Sequence, residues 1–264
     1  MTGNGFGQIS IMTRSLAWVI ICFLVLPITV VFAVSVTDRP YLSLPESEIS
    51  FRYYRNLFGS GPWLISILQS FVIACTSTAV AVIAGTLCAI GCWRLGNAAS
   101  DIVRMLMLVP IMVPTIVYAL GIYQFWIDLR LLDTYTGLII AHAVTGIPYV
   151  VITVSTALAG FDPRLEQASL SLGASMGQTL RLVIVPNIMP GIVSGLIFAF
   201  IHSWDELVLA LFIAGRTVFT LPRRMWDGIN EALDPTMAAV AAVLIAVTVS
   251  LLCADAFVRA RRGT

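Results

Sequence analysis

The sequence predicts an all-α membrane protein of six transmembrane helices with both termini cytoplasmic (N-in/C-in). Of its 264 residues, 59% are hydrophobic and only 11% charged, whereas soluble domains carry about 25% charged residues. Mean hydropathy is +0.95. Six apolar stretches are each long enough to cross a hydrocarbon core about 30 Å thick, and neither a strand pattern nor an internal repeat accompanies them.

The stretches are Ser15–Ser35, Trp63–Trp93, Ile102–Tyr123, Thr136–Gly160, Asn187–Ala214 and Thr236–Val258. The first has too long an apolar run, and too weak a small-residue cleavage pattern, for a removable signal peptide, and reads as an anchor. The second has 31 residues, about 46 Å as helix, so it must tilt or project. Between them, Tyr53, Tyr54, Leu57 and Phe58 in the polar segment Val36–Pro62 predict a short interfacial helix. The organisation expected is an N-terminal part, 1–62, a transmembrane domain of five helices, 63–258, and a tail, 259–264. Pro27, Pro110, Pro114, Pro148 and Pro190 fall inside spans, where prolines are tolerated if neighbouring groups satisfy the freed carbonyls. They predict kinked helices around a cavity.

Orientation rests on arginine, because the chain has no lysine. Arg14, Arg94, Arg104, Arg164, Arg181, Arg259, Arg261 and Arg262 would lie inside and the other seven outside. That count discriminates little, and the Arg-Ala-Arg-Arg run at 259–262, directly after the last span, decides for N-in/C-in. Arg104 and Asp255 near cytoplasmic span ends are expected to snorkel. A net charge of +1 offers no basic surface for nucleic acid. Cys22, Cys75, Cys88, Cys92 and Cys253 show neither disulfide nor zinc spacing and read as apolar filler. A P-loop needs a lysine on the nucleotide phosphates, so no Walker-type ATP site exists in this sequence. H-E-x-x-H, G-x-S-G and catalytic Cys/His patterns are also absent, which argues against an enzyme.

The cytoplasmic segment 161–186 is the most informative. Asp162-Pro163 reads as an N-cap followed by proline in the first turn. Leu165, Ala168, Ser169 and Leu172 repeat at helical spacing, and Gly173 stands where a left-handed C-cap is expected. Ser175 and Gln178 have the spacing of a capping box for a second short helix running toward Val185-Pro186. An ordinary amphipathic connector would show the same periodicity.

The residues themselves carry a resemblance. Gln167-Ala168-Ser169, three residues, Gly173, nine residues, then Val183-Ile184-Val185-Pro186 resembles the E-A-A…G…I-x-L-P signature of binding-protein-dependent ABC permeases. The leading Glu is replaced here by Gln167, with Glu166 just before it. The resemblance implies a type I ABC importer transmembrane-domain fold in the bacterial inner membrane, with 161–186 as the coupling element that docks on an ATPase subunit. Leu165, Ala168, Leu172 and Gly173 would then supply packing, with Ser169 between them. Glu166, Gln167 and Arg181 would make polar contacts. It implies no cofactor on this chain, ATP and Mg being held by a cytoplasmic ATPase homodimer. The other partners implied are a paralogous second permease, a periplasmic solute-binding protein and the lipid bilayer.

The fifth stretch holds Ser203-Trp204-Asp205-Glu206. Acidic groups inside a span cost about 2.5–3.5 kcal/mol each on insertion scales and normally face a cavity or a cation. With Trp204, and with Tyr118 and Tyr149 from other spans, Asp205 and Glu206 would form an electronegative lining for a cationic solute. An interfacial helix end, or pairing with Arg216 or Arg223, would explain them equally. His202–Glu206, Thr220-Leu221-Pro222, Met225-Trp226, Leu233–Thr236, Pro110–Tyr118, Ala141-His142 and Pro148-Tyr149 are similar to the second permease of spermidine/putrescine importers. That likeness implies a polyamine as solute. Related importers carry opines or amino-acid-like compounds, and a proton-coupled carrier titrating Asp205 and Glu206 is a further alternative. His142 and His202 read as hydrogen-bonded packing residues. Gly191 and Gly195 form a G-x-x-x-G suited to close helix approach, at a permease–permease interface. The stretch 215–235 is the candidate surface for the binding protein, or a plain solvated loop.

Overall fold

The computed structural model describes residues 11–46, 48–231 and 234–262, with Ile11, Glu231 and 258–262 by backbone alone. The side chains of the 259–262 arginine run, and Leu233, lie outside that description. Every regular element among the described residues is a helix, and no strand is found among them. The elements are α1 (Ile11–Val34), α2 (Arg52–Gly59), α3 (Gly61–Leu95), α4 (Ala98–Met112), α5 (Thr115–Asp128), α6 (Tyr135–Ala159) and α7 (Pro163–Ser171). There follow α8 (Met176–Thr179), a π-helical turn (Leu180–Ile184), α9 (Val185–Asp205), α10 (Val208–Ile213), α11 (Leu221–Glu231) and α12 (Thr236–Arg262).

Among the described residues, five helical runs are long and apolar enough to cross a membrane: Met12–Val34, Gly61–Leu95, Tyr135–Ala159, Met176–Asp205 and Thr236–Phe257. The third expected span is not one helix. α4 and α5 meet at 103°, breaking the predicted Ile102–Tyr123 at Val113-Pro114. Pro110 stays inside α4, but Val113 takes an extended conformation (φ −84°, ψ 126°) and Pro114 caps α5. A proline disfavours helical geometry in its predecessor, and Pro114 has no N–H to continue the ladder onto the Pro110 carbonyl. The fifth span also differs. It begins at Met176, not Asn187, because α8 runs through the π turn into α9 without a stop, and it ends at Asp205.

The chain forms two compact units, Met1–Ser60 with Gly228–Ala246, and Gly61–Asp227 with Val247–Thr264. In the first, the predicted interfacial helix α2 is present and buries Tyr53 and Leu57. Tyr53 donates to the Arg39 carbonyl at 2.5 Å, Tyr54 pairs with Ser35 at 2.8 Å, and Asn56 donates to Thr236 Oγ1 at 2.9 Å. α1 is exposed from Met12 to Val30 and apolar on every side, the surface a lipid-facing anchor presents.

The second unit is built on α3, α6 and α9. Its core joins Ala81, Ala89 and Ile90 to Val150, Val154 and Leu158 and to Ile184, Ile188 and Ala199. Small residues set the spacing: an added Cβ at Gly191 would lie 2.6 Å from Ala157 Cβ and 2.7 Å from the Thr153 carbonyl oxygen. The Gly191/Gly195 motif is thus used within the chain, against α6, and not at a permease–permease interface. Asp255 does not snorkel either; it is buried and accepts a hydrogen bond from Ser194 Oγ at 2.5 Å. A buried carboxylate so paired ties α12 to α9.

Candidate functional site

The 161–186 element folds as its local chemistry dictates. Asp162 caps α7 by accepting from the Arg164 N–H at 2.9 Å, and Pro163 opens the helix. At the other end Gly173 is left-handed (φ +85°). Its N–H donates to the Leu170 carbonyl at 3.0 Å, and that of Ala174 to Ser169 at 3.2 Å, the pair of bonds that closes a Schellman turn. Ser175 and Gln178 make the expected capping box, at 2.7 and 3.3 Å. Beyond it the second helix does not end at Val185-Pro186, because the π turn carries it on into α9.

α7 buries none of its own residues. Leu165 and Leu172 are 44% and 88% exposed, and Gln167, Ala168, Gly173 and Arg181 are exposed as well. Ser169 turns inward and pairs with Thr179 at 3.0 Å, linking α7 to α8. Glu166 also turns inward, to Arg94 at the end of α3, with N···O 2.5 Å. The chain thus leaves this apolar tip uncovered, on a backbone held by caps at both ends.

The residues proposed for a solute path separate into two groups. Tyr118 and Tyr149 come together at the α4–α5 break, in a cleft of about 70 Å³ with Pro110, Ile111, Val113, Thr115, Thr145 and His202. The Tyr149 and His202 rings lie 5.1 Å apart. His202 bonds Thr145 at 2.9 Å, and His142 bonds Ser203 at 2.7 Å, so both histidines are hydrogen-bonded as expected. Trp204 does not line this cleft: it is buried and stacked on Phe200 at 5.9 Å. Asp205 is the last residue of α9 and is exposed. Glu206 lies in the break after it, where its Oε1 accepts from the N–H groups of Val208 and Leu209 at 2.9 and 3.2 Å and caps α10. It lies within electrostatic range of Tyr149. The acidic pair therefore sits at a helix junction, not in the middle of a span.

The stretch 215–235 is not a plain loop, since α11 occupies most of it. Arg223 pairs with Asp227 at 3.3 Å and donates to the Leu211 carbonyl at 3.0 Å. Arg224 donates to Ser66 at 2.7 Å and lies 4.6 Å from the Phe219 ring centroid.

Sequence reasoning missed Asp133, which anchors this region. Its backbone is left-handed (φ +54°), and its carboxylate accepts from Gly215, Arg216 and Thr217 N–H at 2.9, 3.0 and 2.8 Å, and from Val218 at 3.4 Å. Partial burial pushes the carboxyl up, and these four donors outweigh it, holding the group at about 2 against an ordinary 3.8. A lowered carboxyl stabilises the fold above the ordinary value and loses that contribution as pH falls toward the folded one. Melting of the purified protein should therefore fall between pH 4 and pH 2, and the fall should be shallower in Asp133→Asn. Identical pH profiles would show that the cluster contributes nothing.

Comparison with known proteins fits this geometry. The chain is 28% identical over 235 residues to the spermidine/putrescine transport system permease protein PotC of Haemophilus influenzae, covering 89% of this chain and 91% of that protein. It is 27% identical over 239 residues to the trehalose transport system permease protein SugB of Mycobacterium tuberculosis, covering 88% and 87%. In fold it is similar to a chain of a bacterial ABC transporter involved in the import of the acidic polysaccharide alginate, with TM-score 0.68, 13% identity and 98% of each chain covered. Residues 81–261 match the family described as binding-protein-dependent transport system inner membrane component. With that match spanning α3 to α12, the chain belongs to this family: it is a permease subunit of an ABC importer, embedded in the inner membrane and not itself an enzyme.

Proposed function

We propose that this permease moves a small organic cation, a polyamine of the spermidine or putrescine kind, released to it by a periplasmic binding protein. The observation that carries the reading is the likeness to the spermidine/putrescine permease over nearly the full length of both chains. The site chemistry agrees with it. Tyrosine faces attract ammonium groups by about 0.5–2 kcal/mol; Tyr118 and Tyr149 flank the cleft, and the Glu206 charge acts on Tyr149 from outside its lining. A sugar is the second reading, favoured by the likeness to the trehalose permease.

In the proposed assembly, this chain pairs with a paralogous permease above an ATPase homodimer that holds ATP and Mg. The element 161–186 docks on one ATPase subunit. Closure of the ATPases then displaces the element and rocks the helices between inward-open and outward-open states.

The test is to purify the cognate binding protein, identify its retained ligand by mass spectrometry, and measure uptake of that ligand by the reconstituted complex. A retained polyamine is expected; a retained sugar overturns the reading in favour of the second. Glu206→Gln keeps the Oε1 acceptor that caps α10 and removes only the charge. It should lower polyamine uptake about tenfold, one 1.4 kcal/mol step, with assembly intact. Unchanged uptake would remove Glu206 from the solute path.

A further inference from the structure

Glu166 precedes the position where the family signature has its glutamate, and adjacent residues on a helix project about 100° apart. It is therefore not a stand-in for that glutamate. Gln167 faces outward, whereas Glu166 is turned toward α3 and meets Arg94, the penultimate residue of that helix. Their side chains are only 16% and 28% exposed, so the pair is shielded from water more than a surface ion pair, and its attraction is correspondingly less screened. Arg94 also reaches Met176 Sδ at the start of α8. One residue back, Trp93 packs edge-on against Phe161 with ring centroids 5.6 Å apart. The end of α3 thus holds the 161–186 element at three places: before α7, on α7 and at the start of α8. The Ser169–Thr179 bond locks α7 to α8 behind them.

We propose that Arg94 and Glu166 are positioning residues for coupling: they make the docking element move as one body with the cytoplasmic end of α3. Displacement of the element then reaches α3 through this joint, by a route separate from its covalent continuation into α9. α3 packs on both α6 and α9 in the core, so the joint delivers the displacement to the centre of the transmembrane domain. The proposal rests on the reading that 161–186 docks an ATPase subunit.

The experiment uses the whole complex in vesicles, with its own binding protein carrying the ligand it retains on purification. The readouts are co-purification of the ATPase subunit and the stimulation of ATP hydrolysis by loaded binding protein. Arg94→Glu and Glu166→Arg should each keep the ATPase subunit bound yet cut the stimulation about fivefold or more, and combining them should restore it to within about twofold. Arg94→Lys, which keeps the charge, should also stay within about twofold of the unaltered complex. If either reversal fails to accumulate, Glu166→Gln, nearly isosteric, should show the same loss of stimulation. A charge swap as poor as the single reversals overturns the proposal, as does full stimulation in Glu166→Gln. If no ATPase subunit co-purifies with the unaltered chain, the docking reading itself fails, and that outcome is distinct from either of these.

Discussion

Gly191→Ala should destabilise the folded subunit by about 2–3 kcal/mol, the upper part of the range for overpacking a core. The added methyl would sit 2.7 Å from the Thr153 carbonyl oxygen and 2.6 Å from Ala157 Cβ. Neither obstacle is the flexible end of a side chain, so α6 and α9 must separate. Separation loosens every contact along that seam, including Val150, Val154 and Leu158 against Ile184 and Ile188, because packed interiors have no slack to absorb it. Gly91→Ala in α3 is the control. Nothing lies within 4 Å of its added Cβ, and removing glycine from a helix interior gains about 0.5–1 kcal/mol. Thermal unfolding of the two purified variants in detergent should therefore move in opposite directions. Equal melting of Gly191→Ala and the unaltered protein would mean that the α6–α9 approach is not as close as described.

The same glycine shows which parts of the molecule the sequence made legible. The G-x-x-x-G spacing marked a close approach but could not name the partner helix, because the motif says only that one face is smooth. Caps are different, since their chemistry is contained within a few residues. Asp162-Pro163, Gly173 and the Ser175/Gln178 box were readable because each satisfies or frees its own neighbouring backbone groups. The break at Pro114 was not readable in this way: Pro27, Pro110, Pro148 and Pro190 all lie inside continuous helices. Which proline breaks a span depends on whether neighbouring groups donate to the freed carbonyls, and that is a tertiary fact. Glu206 was noticed for its charge, while its capping role followed from a helix end that hydropathy hid, since α9 and α10 read as one apolar run. Asp133 was invisible because its four donors lie more than eighty residues away.

Leu172→Asp should abolish transport while leaving the isolated subunit as stable as before. Leu172 is 88% exposed at the tip of the element proposed to dock, and exposed substitutions of this kind usually change stability within about 0.5 kcal/mol. Docked in an ATPase cleft, a leucine fully withdrawn from water contributes about 1.5–3 kcal/mol, and an aspartate there would add an unpaired buried charge. A loss of about 3–4 kcal/mol weakens association by two to three powers of ten. Gly173→Val reaches a similar end by another route. Nothing crowds an added Cβ at that position, so the cost is the left-handed backbone itself, about 1–2 kcal/mol and more for a β-branched residue. That strain would open the Schellman turn that presents Leu172. The two variants are separable by circular dichroism of the isolated subunit and by ATPase pull-down. Leu172→Asp should melt normally and fail to capture the ATPase, whereas Gly173→Val should melt earlier and capture it poorly. Normal capture by Leu172→Asp would place the docking contact elsewhere on the element, and would leave the exposed apolar tip without the partner assigned to it.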